Sequence, residues 1–534
     1  MPMETIAKKL SEMRLMQDID ISIPQQGGLG MLKVKILGAD GNSVSRDELA
    51  TLYASDTLYN PFHRKNTVYP DGLIELNSPL WPIILHAKLH IPGYGHMWVV
   101  ADNCGQGYKK DSEIDFIREA AESRVYETDK YINKGGFTPS AKCLSKLADA
   151  KAMLKISQSD GLKSAKSNMI ALSAAMWAGE LAAVERAREV IKNRAKREFL
   201  FGCGGFTYPY SEHPGMKEMF DSIFNYATLP FYLGRVEKEF NKPDYTVLDK
   251  LQDAYDATNI TTKGHPLWWT HTAGMPPWTE SLKWDDGSIA REIDRVVKRS
   301  VNRYKGRIRY YDAINEAHDW CNAYMLTQQQ LAEMTKLCCD AIHDADPTVN
   351  AVINTCFMFG ENVADERVQW GIINERNMTP YTYLERVESL GTQYETIGIQ
   401  LYCPSRDMLE LEKMYDRFSI FGKPLHLTEL GVPSHYRDVG YNTTEGDLYC
   451  LRYMYSGLWH EPEWNEGLQA DWMEWFYTIS YAHPSVEALT WWSFNDPGYV
   501  PASGMHHRDG TPKEICFRLK ALEQQWGFNF GKFR

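Results

Sequence analysis

The sequence predicts an α/β chain: a (β/α)8 TIM barrel, preceded by a β-rich, sandwich-like domain and a helical connector. Three observations carry this. From Glu198 onward, apolar segments of strand length alternate with amphipathic helical segments, the order that builds a parallel sheet. Eight such strand segments occur, the number that closes a barrel. Ahead of them lie short alternating strands split by Gly, Pro and Asn, and then a long stretch at helical period.

At 534 residues the chain exceeds one ordinary core, so it must divide. Residues 1–108 form the β-rich part. Met31 to Leu37 alternates apolar with polar and meets the turn cluster Gly38-Ala39-Asp40-Gly41. Leu73 to Leu76, Ile83 to Leu89 and His96 to Val100 continue the pattern, that of a small antiparallel sandwich. Residues 109–197 turn helical, with Ile114, Ile117 and Ala121, then Met169, Leu172, Met176, Leu181, Val184 and Ile191, at helical spacing. Gly135-Gly136 breaks that run, and no chemistry is evident in it.

Residues 198–534 hold the barrel. Its strands are expected at Phe199 to Gly202, Ser222 to Asn225, Gly264 to Trp269, Ile308 to Ile314, Ala351 to Thr355, Ile397 to Leu401, Pro424 to Thr428 and Ala488 to Trp492. Ile289, Ile293, Val296, Val297 and Val301 make the apolar stripe of one intervening helix. Thr327 with Gln330 reads as a capping box that opens another.

Composition narrows the partners. A formal net charge of −12 with no basic stripe argues against nucleic acid. No segment is apolar enough to span a membrane, and the start, Met1 to Leu10, has no signal-peptide run. A cytoplasmic chain and a secreted one whose leader has been removed both fit. Ten scattered Cys without CxxC spacing read as reduced thiols. Gly-rich phosphate loops are absent, and the adjacent His506-His507 lacks a metal-ligand pattern, so neither cofactor nor metal is expected. The 16 Trp and 30 Tyr either stack on sugar rings or fill a large core.

Two predicted strands end in glutamate, at Asn315-Glu316 and Thr428-Glu429. In a barrel the carboxyl ends of the strands carry the active site. Two carboxylates facing each other there suit cleavage of a glycosidic bond, which needs one acid to protonate the leaving oxygen and one carboxylate to meet the oxocarbenium-like carbon. Their environments must push the two pKa values apart.

Further motifs occur in order: Gly264-His265-Pro266-Leu267-Trp268-Trp269-Thr270-His271 with Pro276-Pro277-Trp278, Asp312 to Ala317, and Gly398-Ile399-Gln400. Leu427 to Leu430, Thr490 to Asp496 and Asp509 to Lys513 follow. Together, over residues 198 to 534, they resemble glycoside hydrolase family 10, the endo-β-1,4-xylanase family, in a divergent form.

The resemblance implies a retaining double displacement on a β-linked polysaccharide or oligosaccharide, with carboxyls about 5–5.5 Å apart. Glu429 would be the nucleophile and Glu316 the acid, then the base. Asn315 would hold the sugar 2-hydroxyl, His265, Trp269 and Trp492 would line the reacting subsite, and Gln400 would sit beside the nucleophile. Under this reading the β-rich domain is either a carbohydrate-binding module or a structural cap.

The chain departs from the family pattern in three respects, two across the nucleophile and one after the second strand. Where members carry a His and an Asp that orient the nucleophile, this chain has Tyr402 and Gly431. The Tyr402 hydroxyl either takes over that support or merely packs. After the second strand, members show Glu-Asn and then a Lys. The comparable stretch here, Phe220 to Pro230, puts Tyr226, Ala227 and Pro230 in those places and leaves Asn225 as a candidate substrate contact. The rival readings are therefore the same chemistry on a non-xylan β-glycan, and a carbohydrate-binding protein without hydrolysis.

Overall fold

The computed structural model describes residues 31–531, apart from 63–65, 79, 158–160, 207–212, 214, 272, 320–321, 365–367, 370–371, 374–376, 403–404, 436–458, 461–463 and 501. Strands β1 (Met31–Lys35), β2 (Tyr53–Ser55), β3 (Asn66–Val68), β4 (Ile74–Asn77), β5 (Ile84–Ile91), β6 (Gly95–Ala101) and β7 (Glu113–Asp115) form two sheets. One runs β3-β4-β1-β7, with β7 parallel to β1, and the other runs β2-β5-β6 and is antiparallel. Leu32 and Val34 alternate inward along β1 and share one buried cluster with Leu85, Ala87 and Leu89 of β5.

Helices Phe116–Asn133, Ala141–Ser157 and Gly161–Asn193 follow. None of the described helices is long and apolar enough to cross a membrane.

The remainder is a closed barrel of eight parallel strands: β8 (Leu200–Gly204), β9 (Tyr226–Pro230), β10 (Thr261–His265), β11 (Tyr310–Asn315), β12 (Asn350–Thr355), β15 (Thr396–Tyr402), β16 (Leu425–Gly431) and β17 (Val486–Trp491). Between β12 and β15 the chain adds a small ribbon of β13 (Val368–Gln369) and β14 (Ile372–Ile373). Six of the barrel strands lie within a few residues of their expected positions.

The other two correct the expectation. Ser222 to Ile223 ends a helix, Met216–Ile223, because Met216, Met219, Phe220 and Ile223 recur at helical spacing and all four are buried. The second strand is β9 instead. The third is β10, and it stops at His265 because Pro266 has no N–H to give the ladder. The stretch to Trp269 still follows β11, through Leu267 N to Asp312 O (2.9 Å) and Asn315 N to Trp268 O (3.0 Å).

The β-rich part docks at the carboxyl end of the barrel. Trp98 N donates to Ser405 O (2.9 Å), and the Arg406 guanidinium stacks between Trp98 and Phe359 while donating to Tyr53 Oη (3.2 Å). Asn60 Oδ1 accepts from Thr379 (2.9 Å) and Arg417 (2.8 Å). Pro61 lies against Gly360, where an added Cβ would come within 2.5 Å of it.

Candidate active site

Each glutamate is delivered by the irregular end of a strand. Register shifts interrupt β11 between Asp312 and Ile314, and β15/β16 between Ile399 and Gln400. Such bulges at a barrel rim re-aim side chains. Glu316 follows β11 in the left-handed region, φ 52°, and its N–H is held by Asn354 O (3.0 Å). That conformation costs a non-glycine residue roughly 1–3 kcal/mol, so the surrounding contacts hold it. Glu429 lies in register with Gln400 across the β15/β16 pair. Glu316 is 7% and Glu429 6% exposed, enough for a ligand atom to reach each and too little for free hydration.

One hydrogen-bond chain joins them. Gln400 Nε2 donates to Glu316 Oε1 (2.7 Å) and to Asn315 Oδ1 (3.3 Å). Asn354 Nδ2 donates to Asn315 Oδ1 (2.7 Å) and to Glu429 Oε1 (3.0 Å). Thr428 Oγ1 donates to Asn354 Oδ1 (2.5 Å) and fixes that amide. Only glycine fits at 398, since a Cβ there would come within 2.6 Å of Asn354 Oδ1.

The outer oxygens have different partners. Glu316 Oε2 accepts from Trp269 Nε1 (3.2 Å), and Glu429 Oε2 accepts from Tyr402 Oη (2.5 Å). Tyr402 stands opposite Gly431 in the strand register, so the absence of a side chain at 431 coincides with the large one at 402.

Several groups act on the Glu429 side. Burial pushes the Glu429 carboxyl up, and Glu316 adds to this, while His265, Tyr402 and Lys263 pull it back. Burial and then the Glu429 charge push the Tyr402 hydroxyl well up, so it keeps its proton and donates. Behind Glu429 lies a buried relay: His265 Nε2 is 3.8 Å from Glu429, His265 Nδ1 is 2.6 Å from Asp312, and Lys263 Nζ is 2.8 Å from the same Asp312 oxygen. Burial alone would raise the Asp312 carboxyl, but Lys263 and then His265 outweigh it and hold it below the usual range.

Aromatic rings wall the cleft. Trp492 packs edge-on to His265 (5.3 Å), Tyr232 edge-on to His265 (5.5 Å), and Trp269 stacks on His271 (4.7 Å).

The profile of Glycosyl hydrolase family 10 matches residues 191–499, more than half of the chain. The chain belongs to that family. Among curated relatives, this family 10 chain is 25% identical over 318 residues to Endo-1,4-beta-xylanase 3 of Arabidopsis thaliana, covering 58% of this chain and 36% of that protein. It is 20% identical over 303 residues to Endo-1,4-beta-xylanase B of Thermotoga neapolitana, covering 54% and 77%. The chain spans about a quarter to a third of the length of the first Arabidopsis relatives. The solved xylanase 10B of Thermotoga maritima superposes with a TM-score of 0.47 at 18% identity, covering 64% of this chain and 99% of that one.

Of the residues singled out in the family 10 sequence, Glu316, Glu429, Asn315, His265, Trp269, Gln400, Tyr402 and Trp492 come together in this cleft. Asn225 does not, which corrects that expectation. It precedes β9 at the opposite end of the barrel, where its amide bridges Phe201 N (2.7 Å) and Phe199 O (2.9 Å). Tyr226, likewise, is buried among Tyr310, Val352 and Ala488, and Ala227 is fully buried. The mouth of the second strand is Pro230, Phe231 and Tyr232.

Sequence reasoning missed Asn354, Tyr232 and the Lys263–Asp312 pair. A signal existed for two of them: Asn354 is a polar residue near the end of an apolar strand, and Lys263 is a charge inside a buried one.

Proposed function

We propose that this chain is a retaining β-glycoside hydrolase acting on β-1,4-linked xylan-type polysaccharide or oligosaccharide. Glu429 attacks the anomeric carbon, and Glu316 protonates the leaving oxygen and then deprotonates the incoming water. The reading is carried by the carboxylate pair itself: two nearly buried glutamates on different strands, joined through Gln400, Asn315 and Asn354. Glu429 has hydroxyl and amide donors and faces His265, groups that favour its charged form at the moment of attack. Asn315, held from both sides by amide donors to its oxygen, presents its own amide N–H to the sugar's 2-hydroxyl.

The proposal is tested by the leaving group. In Glu316→Gln, cleavage of an oligosaccharide, whose leaving alcohol needs a proton, is expected to fall about 10²–10⁴-fold. Formation of the glycosyl-enzyme from a dinitrophenyl glycoside, whose leaving group needs none, stays within a few-fold and appears as a burst. Equal losses on both substrates reject Glu316 as the acid. Proton NMR of the first product decides retention: an α-anomer appearing first from a β-linked substrate overturns it.

Tyr402 gives a second test. Glu429 must be ionised to attack, and removing a donor to its carboxylate raises its pKa. A hydrogen bond to a charged group is worth about 1.5–3 kcal/mol, or roughly one to two pH units. In Tyr402→Phe the acidic limb of the kcat/KM profile should therefore move up by about that much. A limb that stays in place while Tm falls would mean that Tyr402 only packs.

A second reading keeps the chemistry and changes the glycan. It is favoured by Pro230, Phe231 and Tyr232 at the end of β9, where the family's xylose-binding polar groups are expected. Parallel assays on xylan, mixed-linkage glucan, mannan and aryl glycosides separate the two, and equal or better rates on a non-xylan glycan select the second.

A further inference from the structure

We propose that Arg235 binds the carboxylate of a uronic acid carried by the substrate on the nucleophile side of the cleft. This rests on the hydrolase reading above for which side is which. Arg235 follows β9 in the short helix Leu233–Val236, at the carboxyl end of the barrel, and is exposed. Its guanidinium carbon lies 5.3 Å from the centroid of Tyr232 and 6.0 Å from that of Phe206.

Those two rings are the outer layer of the cleft wall. Tyr232 meets His265 edge-on (5.5 Å), and Phe206 meets Trp492 edge-on (5.2 Å). His265 in turn is 3.8 Å from Glu429. The cation is thus one aromatic layer beyond the nucleophile, where the unit next to the reacting sugar lies, away from the leaving group.

Arg295 and Arg299 pair with Glu237, Arg303 with Asp249, and Arg307 with Asp253 and Asp256. Among the described residues no carboxylate stands within ion-pair distance of Arg235. A guanidinium stacked on rings keeps its N–H donors in its own plane, pointing outward in a fork that matches a carboxylate.

Neutral sugar hydroxyls do not require such a group. An anionic sugar does, because the ionised Glu429 repels it and the chain carries a net charge of −12. Rings already covered by a cation are also less free to stack on a neutral sugar.

The test compares a glucuronic-acid-substituted xylo-oligosaccharide with its methyl ester, the same shape without the charge. Wild type should cleave the acid at least tenfold better, by kcat/KM. Arg235→Gln should remove that preference while leaving an aryl β-xyloside, which fills only the reacting subsite, within twofold of wild type. Arg235→Lys should retain part of the preference. Equal cleavage of acid and ester by wild type overturns the proposal, and so does an equal loss on both in Arg235→Gln, which would mark a hydroxyl contact. If no glycoside is cleaved at all, the hydrolase reading fails separately, and calorimetry still decides this one. Tenfold tighter binding of the acid, lost in Arg235→Gln, supports it; equal or undetectable binding overturns it.

Discussion

Glu429→Gln should lower kcat on an activated aryl β-glycoside by about 10⁴-fold or more, the scale on which losing a nucleophile acts, with the fold intact. The amide has the shape of the carboxylate but lacks its nucleophilic electron pair. Its environment makes the loss harder to evade. Tyr402 Oη and Asn354 Nδ2 are both donors, each aimed at one carboxylate oxygen. A glutamine satisfies one of them and turns its own N–H₂ toward the other. The same substitution removes a charge that burial penalises, so Tm is expected to equal or exceed that of wild type, as active-site charge often opposes stability. Stopped assays and a thermal melt read both. A rate within tenfold of wild type would remove Glu429 from the chemistry. Wild type and variant equally inert on every glycoside would favour a carbohydrate-binding protein.

What the sequence shows of this molecule follows the range of the interactions. β11, β12, β15 and β16 are legible because apolar strands buried on a barrel differ in length and period from the stripes of Ile293, Val297 and Val301 on the helix Ser288–Arg303. Ser222 to Asn225 is misread because a short apolar run, Ile223-Phe224, has no period of its own. The error propagates: once the second strand is placed four residues early, Asn225 looks like a mouth residue and Tyr232 goes unseen.

The glutamates are legible because ordered motifs surround them. Asn354 is not, since its role depends on meeting Asn315 and Glu429, which lie 39 and 75 positions away. The docking of the helical region on the barrel is less legible still, for Arg124 and Asp407 are 283 positions apart.

That docking carries the largest expected effect on stability. Arg124, on the helix Phe116–Asn133, is 4% exposed and forks onto Asp407 (2.7 and 3.3 Å) and Glu410 (3.1 Å) at the start of the helix Met408–Phe418. Burial pushes Asp407 up to about 7 against the pull of Arg124. Burial also acts on Glu410, but Lys413, Arg124 and Arg406 together hold it down at about 2.

Arg124→Met leaves both carboxyls buried with less compensation, and breaking a buried pair from one side costs about 3–5 kcal/mol. Without the cation both carboxyls move up in the folded state. A raised carboxyl costs stability as pH rises from its unfolded pKa through its folded one, so the Tm loss should be largest above neutrality and shrink toward pH 4, where Asp407 is protonated. Differential scanning calorimetry of wild type and variant between pH 4 and 8 reads this. A loss that grows toward low pH, or none at all, would mean that the helices are held by apolar packing and that the ion network adds nothing net. The same measurement bears on what the region before the barrel is. A module that merely tethers could lose Arg124 without moving the barrel's melting transition, whereas helices clamped to Met408–Phe418 must unfold with it.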